Sequence, residues 1–357
     1  MSKERSLKKY EILRNELLSY INKHGLKTND RLPTIKEIIK DSNFSYATVN
    51  RTLIEMENEG IISKHQGKGL YVNRVKASNI LRQVSLIIPA HFSDHKIFMN
   101  ILSGVRRTLE SANIGLLVSI SNMSHQKEKE TIEMLISKSI DGIILFMEDG
   151  YLYDYSHIKE LKSKNFPFVL VDRFIPELET DFVVVNNHSA MIRIYSYLKY
   201  NKGCNKIYFV KSDESPDNIS STQDKFEGIK DANKLLFGED INRIISLEEL
   251  VSNLEKISAS DEKVGISFNH DAMITKFLQN LEEQNLVLPE NLHLFGYNNS
   301  GRLEYPTVEQ FNEKVGEKAA ELLINKLNSA EILESSQIKI EPKLIIPEET
   351  GNLVMEK

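Results

Sequence analysis

The sequence predicts a small basic head of three helices and a hairpin, followed by a large acidic α/β body of alternating strands and helices. Three observations predict it. The chain has 357 residues, too many for one ordinary hydrophobic core. Its formal net charge of −6 hides an asymmetry: residues 1–76 hold 15 Lys and Arg against 9 Asp and Glu, and the remainder holds 30 against 42. The apolar spacing also changes, from helical in the head to strand–helix alternation beyond residue 83. The expected division is a head over 1–75, a linker over 76–82, a body over 83–347 and a tail over 348–357.

In the head, Tyr10, Leu13, Leu17 and Ile21 fall on one helical stripe that His24-Gly25 ends. Thr34-Ile35-Lys36-Glu37 is a capping box that starts a second helix. Asp41-Ser42-Asn43 is a turn, after which Ser45 caps a third helix whose inward face is Val49, Leu53 and Met56. Gly60 stops it. Ile61–Lys64 and Leu70–Val72 read as two strands joined across His65-Gln66-Gly67-Lys68-Gly69. Two helices joined by a turn and followed by a basic hairpin describe a winged helix-turn-helix. Tyr46, Ala47, Asn50 and Arg51 remain on the outer face of the third helix, where they would meet a ligand. A basic head on an acidic body suggests that the head alone meets a polyanion.

In the body, strands are expected at Val84–Pro89, Gly115–Ile120, Gly142–Phe146, Phe168–Asp172, Lys206–Val210, Val264–Phe268 and Leu292–Gly296, with amphipathic helices between them. About 270 residues of alternation imply two parallel-sheet lobes. Ligands of such sheets bind outside the carboxyl ends of the strands. That rule nominates the loops His91–Lys96, Asp172-Arg173, Asn269–Asp271 and Asn298-Asn299, with Asp271 expected to cap the helix beginning at Ala272.

Several classes are disfavoured. The sequence contains no G-x-G-x-x-G after its first strand, no G-x-x-x-x-G-K-[ST], no G-x-S-x-G and no H-E-x-x-H. Its nine histidines include no pairing at a defensible metal spacing, and one cysteine, Cys204, allows neither an intrachain disulfide nor a CxxC site. No cofactor, metal or catalytic residue is expected. With 41% hydrophobic and 27% charged residues, no apolar run long enough to span a bilayer and no leader features in MSKERSLKKYE, a cytoplasmic, membrane-free protein is expected.

LPTIKEI, FSYATVNRTL, MENEGII and QGKGLYV resemble, in order and spacing, the N-terminal domain of GntR-type bacterial transcription regulators over roughly residues 8–73. The resemblance implies DNA contacts at Lys36, Tyr46, Thr48, Asn50 and the wing around Gln66, Gly67 and Lys68, beside the outward Arg51. The family usually carries Arg at the position of Tyr46, and a phenol cannot make the bidentate guanine contact of a guanidinium.

IDGIILF, PFVLVDR, VVVNN, KFEGI, FNHDAM, LPENLHLFGYNNS and PTVEQ occur in the order found in LacI/GalR-type regulators, whose effector domain is similar to the periplasmic sugar-binding proteins (type I). This second resemblance spans about residues 83–347. It implies a two-lobed sandwich crossed three times, near residues 184, 306 and 337, with a small molecule, usually a sugar, in its cleft. The matching contact positions are Asp172, Lys225, His270, Asn298 and Gln310, with Phe98 or Phe174 as an apolar floor and Arg173 beside them. The family commonly has Arg at the position of Lys225 and Asp at that of Asn298. Each position also has a plain structural reading: a loop brace for Asp172, a solvated charge for Lys225, a helix start for His270, a turn for Asn298, and core for Phe98.

Together the halves resemble the arabinose-repressor type and imply a homodimeric repressor that binds palindromic double-stranded operator DNA and is released by a sugar. Two rivals stand beside it: a Rossmann-like sugar-metabolising enzyme that regulates its own operon, and a regulator sensing a nucleobase or a protein phosphocarrier.

Overall fold

The computed structural model describes residues 9–42, 44–58, 60–65, 68–73, 82–89, 95–122, 124–148, 154–212, 217, 219–301, 304–329, 333–347 and 353–355. The chain forms two compact units, Met1–Arg82 and Gln83–Lys357. The expected linker lies outside the described residues except for Arg82.

The first unit holds α1 (Lys9–Lys23), α2 (Ile35–Ser42), α3 (Tyr46–Asn58) and an antiparallel hairpin of β1 (Ile62–His65) and β2 (Gly69–Val72). Local chemistry sets the boundaries. Thr34 N–H donates to Glu37 Oε2 at 2.7 Å while Glu37 N–H donates to Thr34 Oγ1 at 3.3 Å, the reciprocal box that starts α2. Ser45 Oγ accepts from Thr48 N–H at 3.3 Å and caps α3. Leu13, Leu17 and Ile21 of α1 pack with Ile38, Val49, Leu53, Met56, Ile62 and Val72 in one core.

The second unit has two lobes. Its first sheet is six-stranded and parallel, built from β3 (Gln83–Ile88), β4 (Gly115–Ile120), β5 (Gly142–Phe146), β6 (Phe168–Val171), β7 (Phe182–Val185) and β13 (Gln337–Ile340), in the order β13-β7-β6-β5-β3-β4. The inner strands are apolar throughout because both faces are covered. Ile144, Val169 and Val183 pack under α4 (His95–Ser111) and α12 (Asn312–Asn328), and Ile143, Leu145 and Leu170 pack under α5 (His125–Ser137) and α6 (Ser156–Ser163). A Cβ on Gly316 would collide with the Ile101 carbonyl oxygen, and one on Gly104 with that of Glu313. Glycine at both points lets α4 and α12 cross backbone to backbone.

The second lobe has the parallel sheet β11-β10-β8-β9, from β8 (Lys206–Val210), β9 (Ile244–Ile245), β10 (Val264–Phe268) and β11 (Leu292–Phe295). Around it lie α7 (Asn187–Tyr200), α8 (Ser220–Phe237), α9 (Leu247–Ser252), α10 (Leu254–Ser258) and α11 (Asp271–Glu283). A small antiparallel sheet of β12 (Thr307–Glu309), β14 (Lys343–Pro347) and β15 (Leu353–Met355) completes it.

The architecture is the expected winged head plus two-lobed α/β body. The lobes exchange chain at Asn186, at Gln310-Phe311 and at Glu341-Pro342, each a few residues beyond the expected points. The shift has a simple cause: β7, β12 and β13 run on to Val185, Glu309 and Ile340 before the chain leaves. Among the described residues, no helix is long and apolar enough to cross a membrane.

Candidate DNA-reading face and effector cleft

In the head, Val49, Thr52, Leu53 and Met56 are buried on the inner side of α3. Tyr46 is left 63% exposed at the N-terminal end of the helix, the end that enters a groove in this motif. Thr48 Oγ1 lies 3.0 Å from Ser45 Oγ, within the cap. Arg51 Nε donates to Glu55 Oε1 at 3.0 Å, and its guanidinium sits 4.5 Å above the Tyr10 ring. Asn50 Oδ1 accepts from Lys64 Nζ at 3.4 Å. Lys36 on α2 and Lys68 at the wing are exposed. Gln66 and Gly67 lie outside the described residues. Sequence reasoning missed Lys64, because its side chain meets α3 only after the hairpin folds back.

In the body, the carboxyl ends of the strands of the two lobes face one another. Asp172 follows β6 with φ at 66°, a left-handed conformation that Asp tolerates better than most residues. Arg173 is buried: Nη1 donates to the Met147 carbonyl at 2.9 Å, Nε lies 3.4 Å from Asp172 Oδ2, and the guanidinium is 5.2 Å from the Phe146 ring centre. Phe174 stacks on Phe182 at 4.4 Å, and its backbone N–H reaches across to Ser220 Oγ at 2.8 Å.

On the opposite lobe, Lys225 of α8 is buried. Its ammonium donates to Asn269 Oδ1 at 2.9 Å and stands 4.1 Å over the Tyr297 ring. Burial, with the Asp172 and Asp224 charges nearby, pushes the Tyr297 phenol up. It stays protonated and donates to Asn187 Oδ1 at 2.6 Å. Asn298, with φ at 93°, accepts from Gln310 Nε2 at 2.6 Å, and Gln310 Oε1 accepts from Asn312 Nδ2 at 3.1 Å. His270 is the N-cap residue of α11, and no side-chain capping bond comes from it.

Phe98, itself on α4, is buried in the core of the first lobe and edge-on to Phe146 at 5.0 Å, the plain structural reading of that residue, whereas Phe174 is only half-buried. One expectation changes. Asp271 does not cap the helix from Ala272, because it is itself the first residue of α11. Its carboxylate accepts from Ser300 N–H at 2.6 Å and Thr307 Oγ1 at 2.7 Å, bracing the loop that carries Asn298. Of the loop His91–Lys96, residues 91–94 lie outside the described residues, and Lys96 Nζ donates across the cleft to the Asn299 carbonyl.

A cavity of about 520 Å³ opens between the lobes, lined by Glu148, Arg173, Phe174, Ser220 and Gln223 among others, a size that suits a small ligand. Glu148 is a cleft residue that sequence reasoning missed. Buried just beyond β5, it accepts from Ser121 Oγ, and its backbone N–H donates to Glu128 Oε2 at 3.1 Å. Glu128 Oε1 in turn lies 2.9 Å from His157 Nε2. Burial, with help from the Glu128 charge, raises the Glu148 carboxyl above its usual range. Its sequence signal, a lone Glu after an apolar strand, was available but unspecific.

A helix-turn-helix head followed by a two-lobed α/β body is an architecture that transcription regulators use. Residues 9–72 match the family of bacterial regulatory proteins, gntR family, and residues 200–348 match the periplasmic binding protein-like domain. The chain is similar to the arabinose metabolism transcriptional repressor of Geobacillus stearothermophilus, 24% identical across 98% of this chain and all of that protein. It is 25% identical to the HTH-type transcriptional repressor CytR of Escherichia coli, over 87% of this chain and 95% of CytR. A solved complex of the transcriptional regulator CelR with cellobiose shares the fold, with a TM-score of 0.63 at 17% identity over 88% of this chain and 94% of that one. The chain thus carries a GntR-type helix-turn-helix domain and a periplasmic-binding-protein-like domain, and over most of its length it is similar to proteins named as transcriptional repressors.

Proposed function

We propose that the protein is a cytoplasmic homodimer that represses transcription from a palindromic operator and is released when a sugar occupies the cleft between its lobes. The observation that carries this reading is the cavity between the lobes, lined by Glu148, Arg173 and the half-buried Phe174 from one lobe and by Ser220 and Gln223 from the other. Asp172, Lys225, His270, Asn298 and Gln310, the positions implied by the resemblance, lie outside that lining and are proposed as further contacts. Carboxylate, amide and cation satisfy hydroxyls by directional hydrogen bonds, and an aromatic face covers the C–H side of a sugar ring. The arabinose in one relative's name and the cellobiose in the CelR complex favour a sugar over a nucleobase or a phosphocarrier. Edge strand β4 exposes Leu117, Val118 and Ile120, an apolar edge suited to a second copy. Lys36, Tyr46, Thr48, Asn50, Arg51, Gln66, Gly67 and Lys68 supply the DNA side.

Ligand shifts such a protein only through differential affinity for its two states, and operator DNA then alters ligand affinity by the same factor. The test is a thermal-shift screen of pentoses, hexoses, deoxyhexoses, sugar phosphates and purines on wild type and Asp172→Asn. Asn tolerates the left-handed backbone at this position. A sugar should raise the melting temperature of wild type as RT ln(1 + [L]/Kd), with little or no shift in the variant and unchanged operator binding. A response to purines alone overturns the sugar assignment, and an equal sugar response in the variant overturns Asp172 as a contact.

A further inference from the structure

We propose that Lys64 and Asn50 act as one base-reading unit that selects a guanine in each operator half-site, an inference that rests on the DNA-binding reading of the head. Lys64 belongs to wing strand β1, yet both ends of the residue are fixed by the recognition helix. Its backbone N–H donates to Glu57 Oε1 at 2.9 Å, and its ammonium donates to Asn50 Oδ1 at 3.4 Å. Asn50 and Glu57 stand two turns apart on the strip of α3 that faces the wing. The wing therefore delivers a cation to the N-terminal half of α3, next to the exposed Tyr46 and Ala47.

The chemistry of the pair fixes what it can read. An ammonium has three donors and no acceptor, so only the carbonyl of the Asn50 amide can face it. The Asn50 Nδ2 hydrogens then point away from Lys64. Together the two side chains offer donors, the remaining Lys64 hydrogens and the Asn50 amide. In the major groove, guanine presents two acceptors side by side, N7 and O6. Adenine pairs an acceptor with a donor and needs the amide oxygen that Lys64 holds. Cytosine offers a donor alone, and thymine a single acceptor beside its methyl group. The donor set fits guanine. Tyr46 cannot supply such a fork, so the reading passes to a composite of helix and wing.

The test begins with full-length protein and selection from a random duplex DNA library, comparing wild type with Lys64→Met, Lys64→Arg and Asn50→Ala. Wild type should enrich a half-site with one invariant guanine. Lys64→Met and Asn50→Ala should both lose preference at that position and keep the rest of the motif, while Lys64→Arg, which also offers donors alone, should retain it. Replacing that guanine by 7-deazaguanine in a synthetic duplex removes N7 and should weaken wild-type binding by roughly 5- to 100-fold, the range of one good base contact. The deaza duplex is read with unaltered protein, so a variant that fails to fold does not shield the proposal. A Lys64→Met variant that keeps the guanine and loses only salt-dependent affinity would make Lys64 a phosphate contact and overturn the inference. Unchanged wild-type binding to the deaza duplex overturns it too. If wild type enriches no DNA at all, the DNA-binding reading itself falls, an outcome distinguishable from the other two.

Discussion

The side-chain amide of Asn186 donates to Glu341 Oε1 at 2.5 Å, tying the first crossover between the lobes to the third. Ser189 Oγ at 2.8 Å and Arg193 Nη2 at 3.3 Å hold the other carboxylate oxygen. Burial alone would raise the Glu341 carboxyl, but the hydrogen bonds from Ser189 and Asn186 and the Arg193 charge outweigh it and hold it below the usual range. A lowered folded value means that its stabilisation is present above the unfolded value of about 4.3 and is lost as pH falls through the folded one. The Glu341 side chain is 54% exposed, so solvent limits the contribution to about 0.5–1 kcal/mol. Glu341→Gln should therefore lower stability by that amount at pH 7 and by less near pH 3, measured by urea unfolding at both pH values. Equal losses at both would show that the charge is irrelevant.

Glu148 carries the opposite sign. Its carboxyl is raised first by burial, then by the Glu128 charge, with the Ser121 hydrogen bond and Arg173 opposing. The folded state thus holds the proton more tightly than the unfolded chain, and stability declines as pH rises from about 4.3 through the raised folded value. Glu148→Gln, which cannot ionise, should compare more favourably with wild type at pH 7 than at pH 4 in thermal melts. A difference independent of pH would mean that Glu148 is not proton-linked. Because Glu148 lines the cleft, wild-type ligand affinity should vary with pH over the same interval and the variant's should not.

These two carboxylates also mark where the sequence stops being legible. Gly142–Phe146 reads as a buried strand because five apolar residues in a row fit a two-sided parallel position. Gln337–Ile340 does not, since a half-exposed edge strand alternates polar and apolar residues over only four positions. The capping box at Thr34 and the N-cap at Ser45 are local and could be read directly. Glu148, Glu128 and His157 are joined over separations of 20 and 29 residues, and nothing in local spacing announces such a bond. The same holds for Asp271, whose partners Ser300 and Thr307 lie 29 and 36 residues away. The cleft loops were found because a rule of topology places them at strand ends. The identity of the groups bracing them depended on tertiary contact.

Where α4 and α12 touch backbone to backbone, the first lobe should tolerate no added carbon. Gly316→Ala places a methyl group against the Ile101 carbonyl and the Val105 amide, both main-chain atoms that cannot swing away. Overpacking of this kind costs about 1–3 kcal/mol, partly offset by the better helix propensity of Ala. A net loss of about 0.5–2 kcal/mol is expected in chemical denaturation. A variant as stable as wild type would show that the two helices can part without penalty.

The exposed cations of the head should act on the DNA backbone, apart from any base contact. Lys36 stands in the first turn of α2 and Lys68 at the wing, so the two flank the recognition helix in sequence and both are exposed. A lysine that neutralises one phosphate releases condensed counterion, contributing about 0.9 to the slope of log K against log salt. Lys36→Ala and Lys68→Ala should each reduce that slope by about one, weakening binding to all duplexes alike and leaving sequence preference intact. Anisotropy titrations of specific and scrambled duplexes across a salt series measure both quantities. A variant that changes sequence preference at constant slope would move that lysine from the backbone to a base edge, and one that changes neither would remove it from the interface.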